Sequence, residues 1–116
     1  MPAFTAAFHP ATDLIRQPAG PGIRRIVLAA NQELMLIKVE YEAGAVVGLQ
    51  QHPHSRISYV ESGEFTVTVG DETRILHTGD SFYAAPGVLH GVVARQAGVL
   101  LDAISPEHAA LLPPAP

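Results

Sequence analysis

The chain has no cysteine. Disulfides and thiolate chemistry are therefore excluded. Basic charge is scarce. Seven Lys and Arg stand against eleven Asp and Glu, a formal net charge of −4. The basic residues are scattered along the chain, which argues against nucleic acid or an acidic membrane surface as a partner. No apolar run approaches the ~18 residues that a membrane helix requires. Met1 to Leu14 lacks both a basic segment and a long apolar stretch, and His9-Pro10 interrupts it. No signal peptide is expected from such a segment, and the chain reads as soluble and cytoplasmic. Nothing repeats at a fixed period.

What is present points to one β-rich domain. The 116 residues suit a single core, and 47 % hydrophobic with 16 % charged residues is a globular balance. Ten glycines and ten prolines punctuate the sequence. Between them lie short strand-like runs: Ile23 to Ala29, Glu33 to Tyr41, Arg56 to Val60, Glu64 to Val69, Thr73 to His77, Ser81 to Ala84, His90 to Arg95 and Gly98 to Ile104. Glu33 to Tyr41 starts apolar on both faces, as a strand covered on both sides would. Gly70-Asp71 between two such runs is a tight hairpin signal. Strands at about 8–12-residue spacing predict a sandwich or barrel.

The ends read differently. Gln17 to Gly22 is expected to be a loop after an N-terminal arm spanning residues 1–20. Glu107 to Leu112 suits one helical turn after Pro106. Pro113-Pro114-Ala115-Pro116 can neither continue a helix nor pair centrally in a sheet.

Chemistry-bearing residues concentrate between Gly44 and Gly63, with His90 as a distant partner. Gly44, Gln50, His52, Arg56 and Gly63 follow one spacing. Gly79, Ala85, Gly87 and His90 follow a second. These two spacings resemble the paired motifs of the cupin superfamily, over about residues 20–105. The resemblance implies an all-β, double-stranded β-helix (jelly-roll barrel) in one domain of residues 1–116, with a tail from 106. Its first motif normally carries histidine, histidine and glutamate where this chain has Gln50, His52 and Arg56.

The match narrows to one subgroup of small RmlC-like cupins. Glu33 to Tyr41, the His52-Pro53-His54 loop, Tyr59-Val60 and Leu100-Leu101-Asp102 with Ser105-Pro106 are similar to the single-domain cupins of pectin and alginate degradation. That similarity implies conversion of 4,5-unsaturated monouronates into linear keto sugars. It also implies a divalent metal such as zinc, nickel, iron or manganese. The metal ligands fall at Gln50, His52, Arg56 and His90, and an assisting aspartate falls at Asp102. A phenylalanine and an arginine of the subgroup align with Ile104 and His108. Small cupins often pair through their sheets and exchange N-terminal strands, so the resemblance implies a homodimer, with Phe4 to Phe8 as such an arm.

The residues at those positions change the chemistry. His52 and His90 are good ligands as neutral imidazoles. Gln50 offers only a carbonyl oxygen, and His54 could stand in for a lost ligand if its loop turned inward. Arg56 has five donors and no acceptor, so it cannot coordinate. At about 5 Å from a divalent ion and an effective dielectric near ~20, it would repel by roughly 6–7 kcal/mol. A carboxylate on a buried strand needs a partner, and Arg56 is the candidate for Asp102.

Two readings follow. In one, the chain is an enzyme on a sugar acid or related small carboxylate, with Arg56 or a metal polarising the substrate and Asp102 or His90 moving the proton. In the other, it is a non-catalytic and metal-free binder of a small anion that Arg56 clamps. His77 and His108 are expected at the surface, and Tyr59 and Phe82 at outward strand positions.

Overall fold

The computed structural model describes residues 6–113. Ten strands make two antiparallel sheets. They are β1 (Arg16–Gly20), β2 (Ile23–Ala30), β3 (Met35–Tyr41), β4 (Val46–Gln50) and β5 (Ser55–Ser62), followed by β6 (Glu64–Val69), β7 (Glu72–His77), β8 (Ser81–Ala84), β9 (His90–Ala94) and β10 (Gly98–Ser105). One sheet runs β1-β2-β3-β10-β5-β8 and the other β4-β9-β6-β7. This is the jelly-roll arrangement. No helix among the described residues is long and apolar enough to cross a membrane.

Alternation explains the core. On β3, Met35, Ile37, Val39 and Tyr41 are buried, while Leu36 between them is 40 % exposed. The strand is thus covered fully on one face only, not on both. Phe65, Val67, Val92, Ala94, Leu100 and Ile104 close the same core from the other strands. Tyr41 meets Phe65 edge-on, with ring centroids 5.2 Å apart. Phe82 also packs inward against this core, contrary to the outward position expected for it. Its neighbour Tyr83 points out instead and is 55 % exposed.

Two glycines show why the motif spacing is rigid. Gly63 has φ +92°, and a Cβ there would lie 2.7 Å from the Cα of Gly98. Both conditions exclude a side chain. Gly70, with φ +62°, turns β6 into β7 so that Val69 faces Glu72. Positive φ at the glycine alone is the pattern of a type II′ hairpin turn.

Two segments differ from the sequence expectation. Gln17 to Gly22, read as a loop, supplies most of β1, which pairs with β2 from Arg16↔Ile26 to Gly20↔Ile23. Backbone pairing, not side-chain pattern, holds that strand. Val46–Gln50 is likewise a strand, β4, paired with β9. At the C-terminus, Ala109–Leu111 forms a single 3-10 turn. Gln17 Nε2 donates to the Leu111 carbonyl at 2.9 Å, and Glu107 N donates to the Gln32 carbonyl at 3.1 Å. These bonds lay the segment carrying His108 over one end of the barrel. Of the proposed exchange arm, Phe4 lies outside the described residues and Phe8 is 87 % exposed. Pro114 to Pro116 also lies outside them.

Candidate functional site

At that end a cavity of about 180 Å³ opens between the sheets. Its walls include Arg25, Tyr41, Gln50, His52, Arg56, Asp102 and His108. The strand register explains this company. Ser58 lies directly opposite Asp102 on β5–β10, and Arg56 lies opposite Ile104. Arg56 is therefore the diagonal neighbour of Asp102 on the inward face. On the facing sheet, Gln50 of β4 pairs with His90 of β9.

Asp102 is 2 % exposed. Its Oδ2 stands 3.9 Å from Arg56 Nη1, close enough for an ion pair but too long for a hydrogen bond. Burial pushes its carboxyl above the ordinary value, and Arg56, the Ser58 hydroxyl and His90 pull it back only in part. Ser58 lies near enough to favour the charged carboxylate, yet neither Ser58 Oγ nor Asp102 Oδ1 makes a well-formed hydrogen bond. Tyr41 feels the same environment. Burial and the neighbouring Asp102 raise its phenol, which stays neutral.

His90 is 5 % exposed, and its Nδ1 lies 3.0 Å from the Val88 carbonyl. A carbonyl only accepts, so Nδ1 carries the proton and donates. The buried Nε2 lone pair is left without a partner. His52 Nε2 sits 2.8 Å from Gln50 Oε1 and donates to it. His54 is half-buried but is not among the residues that line the cavity. Its ring stacks on His108 at 4.5 Å and 16°, and His52 lies 4.9 Å from the His108 ring. Burial, then the neighbouring cationic groups, lowers the pKa of both His52 and His108.

Comparison with known proteins decides the family. Residues 37–104 match the model of the cupin domain. This chain is a cupin. It is 39 % identical to the pectin degradation protein KdgF of Dickeya dadantii over 95 residues, which cover 80 % of this cupin and 86 % of that protein. Its fold superposes on an RmlC-like cupin from Shewanella frigidimarina with a TM-score of 0.89, at 35 % identity, covering 93 % of this chain and 97 % of the other. KdgF from a Halomonas species gives 0.87 at 34 % identity, covering 91 % and 100 %.

Cupins of this kind imply a metal, and the residues here can be tested against one. Of the four positions, Gln50 and His52 hydrogen-bond each other. Arg56 is a cation already facing Asp102. Only His90 Nε2 remains a buried, unpartnered lone pair. The donor set does not fit a resident divalent ion at that position. His52, His54 and His108 form a separate group that could hold one, their ligand atoms all within 4.8 Å of each other. A zinc–nitrogen bond is ~2.0–2.1 Å, so these rings would have to close in, and the near-parallel pair would have to rotate. Both guanidiniums of the cavity also disfavour a positive charge at His108.

The structure thus brings together Gln50, His52, Arg56, His90 and Asp102, with His54 at the rim. His108 is not an outer-surface residue as expected. It caps the cavity because the C-terminal segment folds back onto β1. Sequence reasoning also missed Arg25 and Tyr41. A signal for Arg25 existed: it falls between Ile23 and Val27 in an alternating run, a charge on the inward face of β2. His77 is exposed, as expected, and pairs with Glu64 at 3.1 Å.

Proposed function

We propose that the cavity opens the ring of a 4,5-unsaturated monouronate to the linear keto sugar, with Arg56 and Asp102 as the acting pair. Similarity to the pectin degradation protein KdgF of Dickeya dadantii, and to the solved KdgF of a Halomonas species, supports the substrate class. The observation that carries the reading is a buried carboxylate of raised pKa, 3.9 Å from a guanidinium, in the wall of the cavity. At about 180 Å³, that cavity is smaller than the ~300–1,000 Å³ typical for drug-sized ligands. It suits one sugar ring and not a chain.

The chemistry balances without a further reagent. The hydroxyl on C1 loses its proton to Asp102 as the bond from C1 to the ring oxygen breaks. C1 becomes an aldehyde, and the electron pair leaves with the ring oxygen as an enolate on C5. Asp102 then returns the proton to C4, and C5 becomes a ketone. A carboxyl of raised pKa is a better base and, once protonated, a ready acid. Arg56 stabilises the enolate oxygen, a role in which one donor contributes about 10²–10³ in rate. Loss of the ultraviolet absorption of the C4=C5 double bond reports the reaction. Asp102→Asn should slow it about 10²–10⁴-fold. An equal rate in that variant would remove Asp102 from the mechanism.

The outer face supports a homodimer. Leu36, Ala103, Ile57 and Tyr83 form one row across β3, β10, β5 and β8. Leu36 is 40 % exposed, and Ile57 and Tyr83 are both 55 % exposed. A second copy would cover this row. Light scattering should give a dimer for the unmodified chain and a monomer for Ile57→Glu.

A further inference from the structure

Arg25 lies on β2 opposite Val39, in the inward row that also holds Ile23 and Val27. Its Nε is buried without a hydrogen-bond partner. Among the described residues lining the cavity, the sole carboxylate is Asp102, and that faces Arg56. The remaining polar walls are Tyr41, Gln50, His52 and His108. None of them brings a negative charge at neutral pH. The cavity therefore holds two guanidiniums and one carboxylate. A buried guanidinium N–H with no acceptor is unfavourable unless something else supplies one.

We infer that Arg25 binds the carboxylate of the sugar acid, while Arg56 takes the oxygen on the adjacent carbon. This rests on the ring-opening reading above. In that reaction the carboxylate is attached to C5, and the enolate oxygen forms on C5 as well. The ligand goes from one negative charge to two on neighbouring groups, and two guanidiniums match that change. Their backbones stand three strand positions apart in the order β2-β3-β10-β5, and Arg25 aligns through Val39 and Leu100 with Val60, four residues along β5 from Arg56; together these offsets make ~20 Å in a flat sheet. Two long side chains and one sugar acid between them can fill that span. A guanidinium fork also takes both carboxylate oxygens at once, so Arg25 discriminates a uronate from the neutral sugar of the same shape. Burial lowers the pKa of Arg25, but an arginine starts high enough to stay charged.

The two arginines should separate in kinetics. An interaction kept unchanged from ground state to transition state appears in KM, and one made only in the transition state appears in kcat. Arg25→Gln should raise KM for the unsaturated uronate about 10- to 100-fold with kcat little changed. Arg56→Gln should lower kcat instead. Calorimetry with D-galacturonate, a saturated analogue, should show the same loss for Arg25→Gln, and D-galactose should not bind the unmodified protein. Arg25→Met controls for folding. Its melting temperature should equal or exceed that of the unmodified chain, since no internal partner is lost. Turnover with an unchanged KM in Arg25→Gln would overturn the role of Arg25 and leave the reaction standing. A lower melting temperature in Arg25→Met would also overturn it. No turnover and no galacturonate binding by the unmodified chain would overturn both.

Discussion

Arg56 and Asp102 meet diagonally across β5 and β10, Nη1 to Oδ2 at 3.9 Å, with Asp102 buried and Arg56 at the cavity wall. Burial outweighs the guanidinium in setting the state of the carboxyl, so Asp102 sits above its ordinary value despite a cationic neighbour.

That balance separates activity from stability. A group whose folded pKa is raised contributes stability that is full below its ordinary value, 3.8 for Asp102, and lost as pH rises through the folded value. Asp102→Asn removes this penalty at neutral pH. Its melting temperature should be equal or higher there while turnover falls about 10²–10⁴-fold. A variant that is both inactive and markedly less stable would show that the carboxylate holds the barrel together.

His52 and His108 carry the opposite sign. Both pKa values are lowered from 6.5. Their contribution is present above 6.5 and lost as pH falls through the folded values, because the unfolded chain takes up protons first. Thermal stability should therefore decline from about pH 8 to about pH 5. The double variant His52→Gln/His108→Gln should show a shallower decline. Parallel profiles would mean that the rings titrate as they do in water.

On the reading proposed above, Arg56 also excludes a metal. Replacing it with glutamine adds a carbonyl acceptor to the cavity wall and removes a charge that would repel a divalent ion ~5 Å away by roughly 6–7 kcal/mol. Elemental analysis of tag-free protein, purified without added metal, should find more metal per chain in Arg56→Gln than in the unmodified protein. Equal contents would contradict the reading of Arg56 as the excluding group.

The core prediction is conventional and strong. Phe65 is fully buried between the sheets and packs edge-on against Tyr41. Phe65→Ala should cost about 3–5 kcal/mol in chemical denaturation. A cost under ~1 kcal/mol would mean that the two sheets do not share one core.

Much of this was legible in the residues because glycine and alternation carry direct steric meaning. Gly63 and Gly70 mark turns that admit no other backbone, and the runs from Glu64 to Val69 and from Ser81 to Ala84 are strands with those same ends. The pairing of Arg56 with Asp102 followed from one residue lacking an acceptor and another needing a partner. The segment from Arg16 to Gly20 was illegible because its strand character comes from β2 rather than from its own side chains. His108 was misplaced because its position depends on a hydrogen bond donated by Gln17 and one accepted by the Gln32 carbonyl, both far away in sequence. Arg25 was overlooked because a charge in an apolar run reads as an exposed face until the partner strand is known.

Turnover of a 4,5-unsaturated monouronate by chelator-stripped, tag-free protein is the most direct test of the Arg56–Asp102 pair as the acting groups. Expected is loss of the double-bond absorbance well above the spontaneous rate, unchanged on adding zinc, nickel, iron or manganese, and slowed about 10²–10⁴-fold in Asp102→Asn. Stripped protein that is inert, or that becomes active only when one of those ions is restored, would contradict it.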